Sequence, residues 1–140
     1  MDLQLKEQVA LVAAASKGLG KAAALALARE GARLAICARS EALEQTAEHI
    51  RSETGAQVLA VRTDLTVREQ VEAFVQRSLD HYGHIDVLIV NCGGPPPGEF
   101  MDLAIEDWEA GISTTLMSTL YLCYSVIPHM LERGSGCIIT

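Results

Sequence analysis

The chain has 140 residues, 49% of them hydrophobic and 21% charged, and its 11 Lys+Arg against 18 Asp+Glu leave a formal net charge of −7. That length suits one domain able to bury a core without staples, and the acidic balance argues against a general nucleic-acid surface, which needs a basic stripe to displace counterions. The opening MDLQLKEQVA has no basic stretch followed by an apolar core, so no leader is expected; residues 112–127, ISTTLMSTLYLCYSVI, are too short and too rich in Ser and Thr to read as a membrane span.

Strand-like and helix-like segments alternate along the chain. VALVAAA, 9–15, is a continuous apolar run, as expected of a strand covered on both faces. A helix pattern follows over 18–30, then a strand over 33–38 (RLAICA) and a helix over 41–53 that buries Leu43, Ala47 and Ile50. QVLAVR, 57–62, is a third strand. Thr66, with Glu69 three residues on, reads as a capping box opening a helix whose stripe is Val67, Val71, Phe74, Val75 and Tyr82. DVLIV, 86–90, is the fourth strand, and NCGGPPPGEF is a loop stiffened by three prolines. A long helix over 105–132 leads into CIIT, the fifth strand. Glycine closely follows each helix as a left-handed stop. Five strands with helical crossovers predict a single α/β domain over 1–140: a three-layer, doubly wound parallel sheet with helices on both faces.

Four cysteines, Cys37, Cys92, Cys123 and Cys137, show no C-x-x-C spacing and read as reduced, buried thiols of a cytoplasmic protein, with a metal or disulfide set as the lesser alternative. His81 and His84 have no cysteine or carboxylate set beside them, so no zinc site is expected.

In such a sheet ligands sit at the carboxyl ends of the strands, where the order reverses. AAASKGLG, 13–20, occupies the turn after strand one. A phosphate needs backbone N–H groups unobstructed by side chains and the positive end of a helix. Gly18 and Gly20 allow close approach and tight helix packing, and Ser16 adds a hydroxyl donor. Glycines kept for packing alone are the competing reading of the turn. After strand two the chain reads Ala38-Arg39-Ser40, with no acid until Glu41. An acid there would hold ribose hydroxyls, whereas Arg39 grips a 2′-phosphate through parallel hydrogen bonds and Lys17 can reach the same group. NADP(H) is therefore favoured over NAD(H); solvated surface charges are the alternative.

VAAASKGLGKAAALALAREGARL resembles the opening of the short-chain dehydrogenase/reductase family, whose turn reads T-G-x-x-x-G-x-G. Ala13 and Ala14 replace the Thr and first Gly, while Gly18 and Gly20 match. Alanine at 14 is harmless at negative φ and strained at positive φ. TDLT, 63–66, is similar to the family segment whose aspartate meets adenine, which implies Asp64. Val90-Asn91-Cys92-Gly93 stands against N-N-A-G. DW at 107–108, PHM at 128–130 and GSGCIIT continue the likeness, and ASKGLG is similar to the 3-oxoacyl-[acyl-carrier-protein] reductase type. The resemblance implies a cofactor-binding set of Ala14, Ser16, Lys17, Gly18, Leu19, Gly20, Arg39, Ser40, Asp64, Leu65, Asn91, Cys92 and Gly93.

The likeness covers the family's first half and implies a Rossmann-type sheet of strand order 3-2-1-4-5, incomplete relative to the family after strand five. The family's catalytic serine and Tyr-x-x-x-Lys would lie beyond Thr140; Tyr82, Tyr121 and Tyr124 have no lysine four residues on. Thr115 stands where many relatives carry a catalytic asparagine, and is read as a hydroxyl bonding back to its own helix. The expectation is hydride-transfer ancestry with cofactor binding, no catalytic set in these residues, and self-association through the 105–132 helix, which carries Leu116, Leu120, Cys123, Tyr124 and Ile127 with Met117 and Leu122 beside them. A non-catalytic dinucleotide-binding sensor or interaction protein is the alternative. An S-adenosylmethionine methyltransferase ranks last, since it would want an acid after strand two and a richer glycine turn.

Overall fold

The computed structural model describes residues 3–140; Met1 and Asp2, where the segment read for a leader begins, lie outside the described residues. Side chains alternate along β1, Val9–Val12. Val9 and Leu11 enter one apolar cluster, Ala10 and Val12 another, and all four are fully buried. A strand apolar on both sides needs a helical layer against each face. α1 (Gly18–Arg29) and α2 (Ala42–Thr54) cover the Ala10/Val12 side through Ala24, Ala28, Leu43, Ala47 and Ile50. The other face is covered by α3 (Arg68–Tyr82) and α5 (Ser118–Arg133) through Val71, Phe74, Leu122, Val126 and Met130.

With β2 (Arg33–Ala38), β3 (Val58–Arg62), β4 (Val87–Ile89) and β5 (Cys137–Ile139), the sheet has the order β3-β2-β1-β4-β5 and every pairing is parallel. Leu11 lies opposite Ala35 on one side and Leu88 on the other. The expected three-layer order is thus observed, with its reversal at β1 between β2 and β4.

Asp86 ties the amino ends of the strands together. Its carboxylate accepts the Val9 N–H at 2.8 Å and Arg133 Nη1 at 2.8 Å, with His84 Nε2 at 3.1 Å. Desolvation would raise its pKa, but these partners outweigh burial and hold the carboxyl below its ordinary value.

Four expectations need correction. Of the cysteines expected to be buried only Cys37 is; Cys92 and Cys123 are partly buried and Cys137 is exposed. The first strand ends at Val12 rather than Ala15, because residues 13–16 turn away. Thr66 does not cap α3: the helix begins at Arg68 behind an extended Val67, and the Thr66 hydroxyl donates to Asp64 Oδ1 at 2.7 Å. A charged acceptor two residues back captures the donor. The long helix is not uniform either. α4 (Ile105–Ile112) and α5 are joined by a π turn over Ser113–Met117. There the hydroxyls of Thr115, Ser118 and Thr119 donate to the carbonyls of Gly111, Thr114 and Thr115, competing with the ordinary helical ladder. The bonding back expected of Thr115 is therefore present.

α5 turns Ser118, Leu122, Val126 and Met130 into the core, so Leu122 leaves the outward set expected of it. Leu116, Leu120, Tyr124 and Ile127 are exposed. The helical run Ile105–Arg133 spans 29 residues, and its most apolar 18-residue window has mean hydropathy 1.3 with 22% of it buried. By length and composition it is long enough to cross a membrane, which residues 112–127 considered alone did not suggest.

Candidate functional site

The turn after β1 is held from both sides. Ala13 N–H donates to Ile89 O at 3.1 Å and Ala15 N–H to Cys37 O at 2.9 Å. Between them Ala14 adopts φ +50°, the left-handed region that side chains avoid. Its carbonyl accepts Asn91 Nδ2 at 3.3 Å. A Cβ on Gly20 would come within 2.4 Å of that same carbonyl oxygen and 2.8 Å of Asn91 Nδ2, so only glycine lets α1 sit this close. Burial pushes the Cys37 thiol up to about 12, against the opposing pull of the Ala14 N–H. The surroundings thus over-determine the strained conformation of Ala14.

Gly18 takes φ +56° with open space where a side chain would stand. Lys17 precedes α1 in an extended conformation, no side chain caps the helix, and its first turn holds no acid. The amides there remain free for an anion, and the helix dipole favours one. Buried Thr46 on α2 fixes the turn from below by donating to Ser16 O at 2.9 Å.

Above the reversal point lies a cleft of about 590 Å³. It is lined by Ala14, Ser16, Lys17, Gly18, Leu19, Arg39, Ser40, Asp64, Leu65, Asn91, Cys92 and Gly93. Every expected site residue but Gly20 therefore shares one wall system, and Gly20 stands behind it as the packing contact. Ala38, Thr63, Thr66, Gly94 and Thr114 complete the lining and escaped the sequence reading. Gly94 was signalled only by adjacency to Gly93. Thr114 carried no signal, because helical counting fails inside a π turn.

Neither the Lys17 ammonium nor the Arg39 guanidinium is hydrogen-bonded or ion-paired among the described residues. Arg39 acts on Asp64 through its field alone. The Thr66 hydroxyl and amide, at 2.7 and 2.9 Å from Asp64 Oδ1, hold that carboxyl below its usual value. Gln70 Oε1 accepts the Asp64 N–H at 2.8 Å and so fixes the backbone there. Ser40 Oγ accepts the Ala42 N–H at 3.1 Å, which leaves its own O–H as a donor. Asp64 is the acid in the cleft wall; Glu41 is not part of that wall.

Tyr82 is in the core, donating to Leu34 O at 2.8 Å. Tyr121 and Tyr124 line a separate groove of about 450 Å³ between α3 and α5. Among the described residues no tyrosine reaches the cleft.

A crevice at the strand carboxyl ends, a glycine-backed uncapped helix and free cations on the rim fit a dinucleotide. The family model for short chain dehydrogenase matches residues 8–140. The chain belongs to the short-chain dehydrogenase/reductase family. An uncharacterized oxidoreductase of Staphylococcus epidermidis is 30% identical over 136 residues, which cover 97% of this chain and 58% of that one. The L-sorbose reductase of Gluconobacter frateurii, solved with NADPH and L-sorbose, superposes with TM-score 0.93 at 31% identity, covering 99% of this chain and 53% of that one. An alcohol dehydrogenase of the archaeon Thermococcus sibiricus, solved with 5-hydroxy-NADP, gives TM-score 0.89 at 30% identity over 95% and 57% of the two chains. The chain thus spans little more than half the length of these members of the family.

Proposed function

We propose that this chain forms the NADP(H)-binding part of an oxidoreductase that moves hydride between the nicotinamide and a carbonyl or alcohol carbon. The observation that carries the NADP(H) reading is the pair of unpaired cations, Lys17 and Arg39, on a cleft wall from which Glu41 is absent. The Gly18, Leu19 and Gly20 segment at the start of α1 receives the pyrophosphate on backbone N–H groups. Lys17, Arg39 and the free Ser40 O–H hold the 2′-phosphate. Asp64 and Leu65 face the adenine, and Asn91, Cys92 and Gly93 form the floor toward the nicotinamide ribose. Bound there, the cofactor supplies a hydride donor or acceptor at its nicotinamide ring.

The described residues bring no tyrosine into the cleft, and Thr115 spends its hydroxyl on Gly111 O at 2.7 Å. We therefore assign dinucleotide binding to these residues and no catalytic proton donor. The departures from the family pattern at Ala14, Val90 and Thr115 support a second reading, a non-catalytic dinucleotide binder. The likeness of ASKGLG to 3-oxoacyl-[acyl-carrier-protein] reductases rests on the turn and names no substrate here. The exposed Leu116, Leu120, Tyr124 and Ile127 row supports self-association of this chain.

Calorimetric titration with NADPH and NADH tests the reading. Saturable binding that prefers NADPH, with the preference lost in Arg39→Ala, is expected. An affinity ratio unchanged by Arg39→Ala would refute the NADP(H) assignment. For self-association, a monomer by light scattering at micromolar concentration would count against the helix face.

A further inference from the structure

The segment that carries Arg39 is held by a residue outside the cleft. Arg62 is the last residue of β3 and pairs in register with Ala38, so it stands one strand away from the β2–α2 turn. Its guanidinium makes two contacts. Nη2 donates to Arg39 O at 3.1 Å, and Nη1 lies 3.5 Å from Glu41 Oε1. Neither Arg62 nor Glu41 lines the cleft, whereas Arg39 and Ser40 between them do. One cation therefore secures the backbone of the turn and engages its acid, while the second cation of the turn keeps its side chain free. In dinucleotide folds of this kind, an acid after the second strand reads the ribose hydroxyls and repels a 2′-phosphate. Glu41 is the first acid after β2, and the strap draws it toward Arg62.

Resting on the NADP(H) reading above, we propose that Arg62 is a positioning residue for cofactor choice: by holding the Arg39 carbonyl and engaging Glu41, it presents a cation rather than an acid to the 2′-phosphate. Arg62 acts through Arg39 and does not touch the phosphate. Its side chain is 64% exposed and Glu41's is 89% exposed, so removing the pair leaves the core intact.

The test uses two nucleotide fragments that differ by the group in question, 2′,5′-ADP and 5′-ADP, titrated calorimetrically into this chain and its Arg62→Met, Glu41→Gln/Arg62→Met, Arg39→Ala and Arg39→Ala/Arg62→Met variants. Thermal melts serve as the folding control. Arg62→Met weakens 2′,5′-ADP about three- to tenfold, the scale of an exposed ion pair together with a hydrogen bond from a charged donor, and leaves 5′-ADP unchanged. Adding Glu41→Gln regains part of the loss, since the released acid is gone. Arg62→Met on top of Arg39→Ala costs nothing further. Equal weakening of both fragments would overturn the proposal in favour of a structural role. Undiminished weakening of 2′,5′-ADP in the Arg39→Ala background would make Arg62 a direct phosphate ligand and also overturn it. If Arg39→Ala abolishes the preference while Arg62→Met does not, this inference alone falls. If Arg39→Ala leaves the preference intact, or neither fragment binds, the NADP(H) reading falls and takes this inference with it.

Discussion

Ala14→Gly should stabilise this chain, although removing a side chain usually does the reverse. Ala14 sits at φ +50° in the turn after β1. Holding a non-glycine residue there costs about 1–2 kcal/mol, which glycine escapes. Two effects oppose the gain. Glycine makes the unfolded chain freer by about 0.4–1 kcal/mol, and loss of a half-buried methyl forfeits about 0.4 kcal/mol. The net is a gain of about 0.5 kcal/mol, or roughly a 2 °C rise in Tm for a domain of this size. Differential scanning calorimetry reads it directly. Because Ala14 also lines the cleft, NADPH affinity should rise in the same variant. Ala14→Val, which puts a β-branched side chain at positive φ, should lower stability by about 2 kcal/mol. A fall in Tm of more than about 2 °C for Ala14→Gly would mean that methyl packing outweighs backbone strain, and the reasoning would be wrong.

Gly20→Ala should cost about 2–3 kcal/mol and most of the nucleotide affinity, since its Cβ would stand 2.4 Å from Ala14 O; urea unfolding and titration check both. Asp86, whose folded pKa is depressed, contributes stability that is complete above its unfolded value of about 4 and is lost as pH falls through the folded value. Asp86→Asn should therefore lower stability by about 2 kcal/mol at pH 7, with the gap to the parent closing below about pH 4 in urea titrations; a gap independent of pH would reject the linkage. Maleimide labelling at pH 8 should modify exposed Cys137 promptly and leave buried Cys37, its thiol pushed up to about 12, unreacted until the chain unfolds.

The layer architecture was legible in the sequence because it depends on period and alternation, whereas the strand order came only with the family resemblance. Continuous apolar runs such as VALV and RLAICA can only be covered on both sides, and the helical stretches between them force parallel crossovers. The glycines at 18 and 20 and the basic pair Lys17 and Arg39 stood out for a related reason, since each is a residue type whose chemistry is local to one turn; Asp64 was implied only by the family resemblance.

What the tertiary structure decided is everything that depends on a partner distant in the chain. The sign of φ at Ala14 is imposed by Ile89, Cys37, Asn91 and Gly20 together, and no local pattern reports it. Thr66 is a local exception: it looked like a cap until Asp64, two residues back, proved the better acceptor. Thr114 enters the cleft from a π turn that helical counting cannot place. Arg62 and Glu41 meet because β3 lies beside β2, an adjacency set by the fold. Sequence periodicity determines which face of an element is apolar; only packing fixes which polar group finds which, because hydrogen bonds are settled by distances between residues far apart in the chain.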